Sequence, residues 1–182
     1  SKAWEYASIL AAQGKKVVDL SFAGGLVRED QIFKALALGA PFVKMICMGR
    51  ALMVPGFLGA NIEGVLHPER RSKLSGNWDT LPKTVRNLGE TPEQIFAGYN
   101  SLKRKIGADE MKNLPFGAIA AWTLADKLSA GLQQLLAGAR KFSVTDINRS
   151  DIVSANRETE KETGIPFITD VQDQIARNIL TR

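Results

Sequence analysis

Two glycine-containing turns are the residues of this sequence best suited to chemistry. The first, Ala23-Gly24-Gly25, follows a short apolar run, and the second, Met48-Gly49-Arg50, follows another. Glycine tolerates a positive φ and lets backbone N–H groups approach an anion. A helix beginning after each turn adds positive potential, and Arg50 adds a charged donor. Either turn alone also fits simple turn geometry, but the pair predicts a phosphate-binding edge where two strands end.

The elements that position these turns follow from hydrophobic periodicity. Residues 17–22 and 42–47 are short, nearly continuous apolar runs, which predict two strands buried on both faces. Residues 29–38 carry apolar side chains at helical spacing, and residues 3–13 predict a further helix that ends at Gly14. A helix between two strands indicates a parallel crossover, and therefore an α/β fold.

Beyond residue 80 the sequence pattern is helical. Thr91 followed by Pro92 is typical of a helix start, and we predict a helix from there to about Ile106. The longest predicted helix covers residues 117–138, where leucines repeat at helical spacing. Two more helices are predicted, from Ser150 or Asp151 to Gly164 and from Asp170 to about Leu180.

Three segments follow from these patterns. Residues 1–55 hold the two βα units, residues 56–80 are a glycine-rich irregular loop, and residues 81–182 form a mostly helical region. Two parallel strands do not make an independently stable sheet. We therefore expect the sheet to continue in strands outside this sequence, with the chain as the C-terminal piece of a larger α/β protein. A small helical domain with one βα insertion is the alternative.

Composition excludes several classes of protein. The 182 residues are 45% hydrophobic and 24% charged, which is typical of about one globular domain rather than a disordered chain. No apolar run approaches the roughly 20 residues of a membrane helix, so we expect no membrane partner. The net charge of +5 is modest and no basic stripe is present, so we expect no nucleic-acid partner.

The sequence contains one cysteine and one histidine, which argues against disulfides, zinc sites and a catalytic triad. Cys47 is the only cysteine, which excludes a disulfide framework and predicts a reducing, cytoplasmic location. Because Cys47 ends an apolar run, we interpret it as a core side chain. His67 is the only histidine and precedes Pro68, which indicates a loop residue rather than a member of a Ser/His/Asp set. One histidine with one cysteine disfavours the usual zinc sites.

Residues 22–40 and 43–51 carry a resemblance to a known family. Together they resemble the end of an FMN-binding (β/α)8 barrel, and most specifically the FMN-binding synthase domain of the glutamate synthase family. Residues 91–96 and 131–140 are similar to the C-terminal part of stand-alone glutamate synthase-like proteins. The resemblance implies that the chain holds the last two βα units of this barrel followed by a helical C-terminal region.

The resemblance also implies a cofactor site and a parent reaction. The FMN phosphate would bind at the two turns, and the implied residues are Ser21, Ala23, Gly24, Gly25, Met48, Gly49, Arg50 and Ala51. No catalytic residue is implied in this chain, since the flavin ring and the substrate lie over earlier strands of such barrels. The parent oxidoreductase would form glutamate reductively from 2-oxoglutarate and glutamine-derived ammonia, in nitrogen metabolism.

One departure from the family concerns metal. Glutamate synthases hold an iron–sulfur cluster through cysteines after the phosphate turn, and residues 56–67 contain none, so no cluster is expected. The expected partners are the rest of the barrel, or a second copy through self-association, and an electron-donor subunit. We expect the chain alone to be inactive. The alternatives are a non-catalytic helical interaction module and a segment of another FMN barrel enzyme.

Overall fold

A parallel pair of strands within a mostly helical chain is the central feature of the computed structural model, which describes residues 2–181. The chain divides into two compact units. The first comprises the chain up to Cys47 and the chain from Leu132 onward, and the second is Met48–Gly131. No helix within residues 2–181 has both the length and the apolar character needed to cross a membrane.

The first unit begins with the predicted succession of helices and strands. Helix α1 (Lys2–Ala12) is followed by β1 (Leu20–Ala23), α2 (Glu29–Gly39) and β2 (Val43–Cys47). Helix α1 is followed by Gly14, whose φ of +70° is the left-handed conformation expected of a glycine after a helix. The strands pair in parallel, which confirms the predicted crossover through α2.

The predicted burial of both strands is wrong. The strands are shorter than predicted, and Phe22 on β1 and Met45 on β2 are 43% and 59% exposed. Cys47, interpreted as a core side chain, is also exposed. Each strand has only the other as a neighbour within residues 2–181, and Val43 and Ile46 of β2 pack against the helices. The apolar side chains of Phe22 and Met45 are therefore left exposed.

The core of the first unit joins α2 and β2 to the end of the longest helix. That helix, α8 (Phe116–Gly138), confirms the predicted helix over residues 117–138. Its Leu136 packs with Phe33 and Leu36 of α2, and Ile147 completes the cluster. Residues almost a hundred positions further along the chain, Leu136 and Ile147, thus pack against α2 and β2.

The predicted helix from residue 150 to Gly164 is wrong in its first half. Residues 149–151 form a 3₁₀ turn, and α9 (Arg157–Thr163) begins only after Asn156, whose side chain accepts the Thr159 amide at 2.8 Å. Between them Ser154 bridges to Phe167, and that short bridge interrupts the helix. Helix α9 ends at Gly164 as predicted, and α10 (Ile168–Leu180) has Phe167 as its N-cap, three residues before the predicted cap Asp170.

All the regular secondary structure of the second unit is helical. It holds α3 (Arg50–Leu66), a 3₁₀ turn over Pro68–Arg70, α4 (Lys83–Arg86), α5 (Pro92–Ile95), α6 (Tyr99–Ile106), α7 (Ala108–Asn113) and the first part of α8. Its core includes Ile62, Leu102, Met111, Phe116 and Ile119. Helices α3 and α8 supply Ile62 and Ile119, each about 1% exposed, at the centre of this core.

The predicted irregular loop over residues 56–80 is wrong for its first eleven residues, which belong to α3. The glycines that suggested a loop permit a close helix crossing. A Cβ on Gly59 would lie 2.6 Å from the carbonyl carbon of Phe116 and 2.7 Å from the Cα of Gly117. Glycine therefore lets the backbones of α3 and α8 approach each other, at a helix-propensity cost of about 1 kcal/mol.

The helix predicted from Thr91 to Ile106 is two helices. Its start is confirmed, since Gln94 accepts the backbone N–H of Thr91 at 3.3 Å and completes a capping box. Phe96 then leaves helical geometry and turns into the core at 5% exposure. Gly98 packs so closely on α8 that a Cβ there would lie 2.9 Å from the Cα of Thr123. Tertiary packing therefore overrides local helix propensity here.

Candidate functional site

The two strands of the first unit end together. In the parallel register Ala23 lies opposite Cys47, and Ser21 lies opposite Met45. The chain leaves β1 into Gly24 and leaves β2 into Met48, so both following segments start from the same edge of the sheet. This is the carboxyl edge, where parallel α/β proteins bind ligands.

The Gly24-Gly25 turn has the backbone geometry that only glycine adopts readily. Its φ angles are +102° and +70°, and a Cβ built at either position would meet nothing within 4 Å. The requirement for glycine is therefore conformational rather than steric. Ser21 and Ala23 before the turn are exposed, and so are both glycines. The backbone of the turn is open to an approaching ligand.

The second turn leads into a helix N-terminus that no side chain of residues 2–181 caps. The positive φ expected at this turn is wrong, since Gly49 has a φ of −87°. Gly49 is the N-cap of α3, and the first turn holds no acidic residue. The N–H groups of Arg50 and Ala51 can therefore serve an external acceptor, since a helix leaves its first amides unpaired. Arg50 is exposed, and Met48 and Ala51 are partly buried.

Helix α2 starts differently, which changes the predicted electrostatics. Gln31 accepts the amides of Val27 at 2.8 Å and Arg28 at 3.1 Å, so part of this helix end is already capped. Glu29 and Asp30 place two carboxylates in its first turn. They offset the positive end of the helix dipole that the sequence predicts after the first turn. Of the two helix starts, only that of α3 suits an anion.

The pKa of Asp30 tests the charges at the start of α2. The Lys34 ammonium 2.8 Å away and the Arg28 guanidinium 2.9 Å away hold the pKa of Asp30 at about 2. The folded chain favours the charged carboxylate of Asp30. These ion pairs therefore stabilise the fold at pH values above the ordinary aspartate pKa, and their contribution is lost as pH falls through the folded-state pKa of about 2. We expect Lys34→Met to raise the pKa of Asp30. The measurement is the midpoint of the pH titration of the Asp30 carboxyl-carbon chemical shift, followed by NMR.

The matched control is Lys16→Met, which removes an exposed lysine that forms no ion pair with Asp30. We expect this control to leave the midpoint unchanged. A midpoint at the ordinary aspartate pKa in the unsubstituted protein would contradict the ion pairs.

The only histidine has a packing role. The His67 ring contacts Phe116 edge-on with centroids 5.6 Å apart, and its Nδ1 lies 3.4 Å from a Glu69 carboxylate oxygen. Across residues 2–181, no three or more His, Cys, Asp and Glu side chains are grouped so as to hold a metal ion.

A cavity of about 640 Å³ lies in the first unit, beside α2 and β2. The Arg149 guanidinium stacks 3.9 Å over the Trp4 ring and donates to the Leu38 carbonyl at 2.6 Å and the Thr163 carbonyl at 2.5 Å. Trp4 donates to the Ala40 carbonyl at 2.7 Å. Burial lowers the pKa of Arg149. These polar groups are satisfied by the fold, so they position α1 and the 3₁₀ turn rather than offer a ligand free partners.

Sequence reasoning missed a buried carboxylate in the second unit. Glu63 on α3 is 7% exposed, and its Oε2 accepts the backbone N–H of Phe116 at 3.1 Å. The sequence predicts an irregular loop around Glu63, and an exposed acidic residue is ordinary in a loop. An acidic residue flanked by Ile62 and Gly64 within an apolar helix is the local signal that could have found it.

No protein-family model, curated protein or solved structure matches this chain. The resemblance of residues 22–40 and 43–51 to an FMN-binding barrel therefore stays a prediction from the sequence.

Proposed function

We propose that this chain supplies the phosphate-binding edge of an FMN site in a glutamate synthase-like barrel oxidoreductase. One observation carries the proposal: β1 and β2 are parallel and end in register at Ala23 and Cys47. An open glycine turn follows the first strand, and the uncapped start of α3 follows the second. Many (β/α)8 barrels bind phosphate at the turns after their last two strands, and these two turns likewise follow two consecutive parallel strands.

The residues of both turns fit a phosphate. Gly24 and Gly25 leave space within 4 Å of their Cβ positions, so phosphate oxygens can approach the backbone. The first amides of α3 lack a side-chain cap, and Arg50 adds a charged donor without an acidic neighbour in that turn. Bound FMN would supply the electron-transfer chemistry. This chain's residues would bind and orient its phosphate, and none is proposed to act in catalysis.

Exposed apolar side chains on the sheet and just before it support a further partner. Phe22 on β1 and Met45 on β2 are 43% and 59% exposed, and Val18, two residues before β1, is 70% exposed. A two-stranded sheet is marginal by itself. We propose that the remaining strands of the barrel pair with β1 and β2 and cover these side chains. The parent protein would take electrons from a donor subunit and form glutamate from 2-oxoglutarate and glutamine-derived ammonia in the cytoplasm.

The same exposed side chains favour a second candidate function. In an interaction module without flavin, β1 and β2 would pair with a second copy of the chain. Helix α10 adds Ile175, Ile179 and Leu180 at 54%, 67% and 84% exposure to the apolar surface of the described chain. The module predicts assembly that depends on protein concentration, and it predicts no affinity for phosphate.

Paired titrations with FMN and riboflavin test the first proposal. The full-length protein that carries this sequence is stripped of flavin and titrated with each ligand by flavin fluorescence. Riboflavin lacks only the phosphate, so we expect it to bind about 10-fold more weakly or worse, because charge-assisted hydrogen bonds contribute about 1.5–3 kcal/mol. We expect Arg50→Met to weaken FMN binding and leave riboflavin binding unchanged.

Equal affinities for the two flavins would contradict the proposed phosphate site. A protein that binds neither flavin and assembles with rising concentration, as measured by light scattering, would favour the interaction module. Strong phosphate-dependent FMN binding without glutamate formation would keep the cofactor site and assign the chain to another FMN barrel enzyme, since the fold does not determine the substrate.

A further inference from the structure

A second cavity, of about 550 Å³, lies wholly within the Met48–Gly131 unit. Its wall is mainly apolar and includes Met53, Phe57, Leu74 and Pro115. Three charged residues also line it, namely Glu63, Arg70 and Lys112. The volume lies within the range of about 300–1,000 Å³ that small-molecule sites occupy. An apolar cavity with a few polar groups is the usual form of such a site.

Glu63 has one carboxylate oxygen without a hydrogen bond. Oε2 accepts from the Phe116 amide at the start of α8, whereas Oε1 lies 3.8 Å from Arg70 Nη1, beyond hydrogen-bonding distance. Among residues 2–181, Oε1 forms only this long ion pair with Arg70. The Glu63 side chain is 9% exposed. A carboxylate oxygen without a hydrogen bond keeps acceptor capacity for a ligand.

Arg70 carries the opposite charge at the same cavity. Its two terminal nitrogens reach the Lys112 carbonyl only at 3.4 Å, which leaves donor capacity for a stronger acceptor. The Arg70 side chain is 48% exposed, in contrast to the buried Glu63. The cavity therefore presents a carboxylate acceptor deep in its wall and a guanidinium donor nearer to solvent.

We propose that this cavity binds a free amino acid with a large apolar side chain. The ligand's ammonium group would donate to Glu63 Oε1, its carboxylate would accept from Arg70, and its side chain would pack among Met53, Phe57 and Leu74. The Lys112 ammonium is paired with Asp109 at 2.9 Å. Glu63 and Arg70 are therefore the two charges that discriminate. A simple amine leaves Arg70 without a carboxylate, and a simple acid leaves Glu63 Oε1 without a donor. A zwitterion satisfies both charges at once. This binding does not depend on the proposed flavin site.

Three probes that share one aromatic body test the proposed ligand class. The full-length protein is titrated by calorimetry with L-phenylalanine, with 2-phenylethylamine, which lacks the carboxylate, and with 3-phenylpropionate, which lacks the ammonium group. We expect L-phenylalanine to bind and each analogue to bind about 10-fold more weakly or worse, as loss of one charged hydrogen-bonded partner predicts.

Glu63→Gln tests the anchoring residue. Glutamine retains an oxygen that can accept the Phe116 amide, so the start of α8 stays capped while the negative charge is lost. We expect this variant to lose about 10-fold or more in L-phenylalanine affinity. The matched control is Glu69→Gln, which removes the same charge from a nearby side chain that is 68% exposed and does not line the cavity. We expect the control to bind normally.

Three results would each overturn the proposal: no binding of L-phenylalanine, equal binding of an analogue, or unchanged affinity in a folded Glu63→Gln variant. Circular dichroism checks folding. Should Glu63→Gln unfold, Arg70→Gln replaces it as the test, because Arg70 is half exposed and supports no helix start. Flavin binding is measured on the same samples, so failure of the amino-acid site and failure of the flavin site are distinguished.

Discussion

Gly25→Val is expected to abolish flavin retention at the proposed FMN site. Gly25 has a φ of +70°, a conformation that a β-branched residue adopts only at a cost of about 1–3 kcal/mol. A Cβ at this position meets nothing within 4 Å, so the effect acts through the backbone. The turn would shift to relieve the strain, and its amides would no longer face the phosphate. The flavin-to-protein absorbance ratio after desalting measures the loss.

Gly14→Val is the matched control for this experiment. Gly14 has the same φ of +70° and the same open space around its Cβ position, but it follows α1 and lies outside both turns. We expect a comparable loss of thermal stability with flavin content unchanged. If Gly25→Val retained its flavin, the assignment of the phosphate to this turn would be wrong. Equal loss of flavin in both variants would show that the loss reflects general destabilisation.

Gly59→Ala is expected to destabilise the protein by about 3 kcal/mol, because overpacking of a close contact costs about 1–3 kcal/mol and occasionally more. The added methyl group would overlap the backbone of α8, with the Phe116 carbonyl carbon 2.6 Å away. Backbone atoms cannot rotate aside as a flexible side chain can, so α3 and α8 would have to separate. Urea unfolding followed by circular dichroism measures the free energy of unfolding.

Gly56→Ala, three positions earlier on the same helix, is expected to have the opposite effect. A Cβ there meets nothing within 4 Å, and alanine is favoured over glycine in a helix by about 1 kcal/mol. We therefore expect stabilisation by up to about 1 kcal/mol. Equal free energies of unfolding for the two alanine variants would contradict the close crossing of α3 and α8 at Gly59.

Elements with a strong local pattern could be predicted from the sequence. Helix α2 was predicted over residues 29–38 and is Glu29–Gly39, because its apolar face and its terminating glycine are both local features. The parallel crossover followed from the order strand, helix, strand. The capping box at Thr91 is likewise local, since all its hydrogen bonds lie within four residues.

Elements whose ends depend on distant residues could not be predicted. Gly59 reads as a loop residue until it is placed against Phe116, which is 57 positions further along the chain. The helix beginning at Thr91 ends early because Phe96 is drawn into a core built by α3 and α8. In each case the energy of tertiary packing exceeds the small local preference.

The candidate sites divide in the same way. Sequence alone predicted the turn at Gly24 and Gly25, because glycine is the residue that adopts a positive φ without steric cost. It could not predict that α2 is capped by Gln31 whereas α3 is not, since both starts follow a glycine turn. Nor could it find Glu63, whose burial and hydrogen bond depend on Phe116, 53 positions away.

The sequence by itself determined the order of the βα units, their parallel pairing and the positive-φ turn at Gly24 and Gly25, because these depend on periodicity and backbone freedom within a few residues. Only the tertiary structure decided that the strands lie exposed, that α3 continues through a glycine-rich stretch and that Glu63 and Arg70 share a cavity. Those features depend on which surfaces meet, and the chain brings together residues from α3 to α8 to make them.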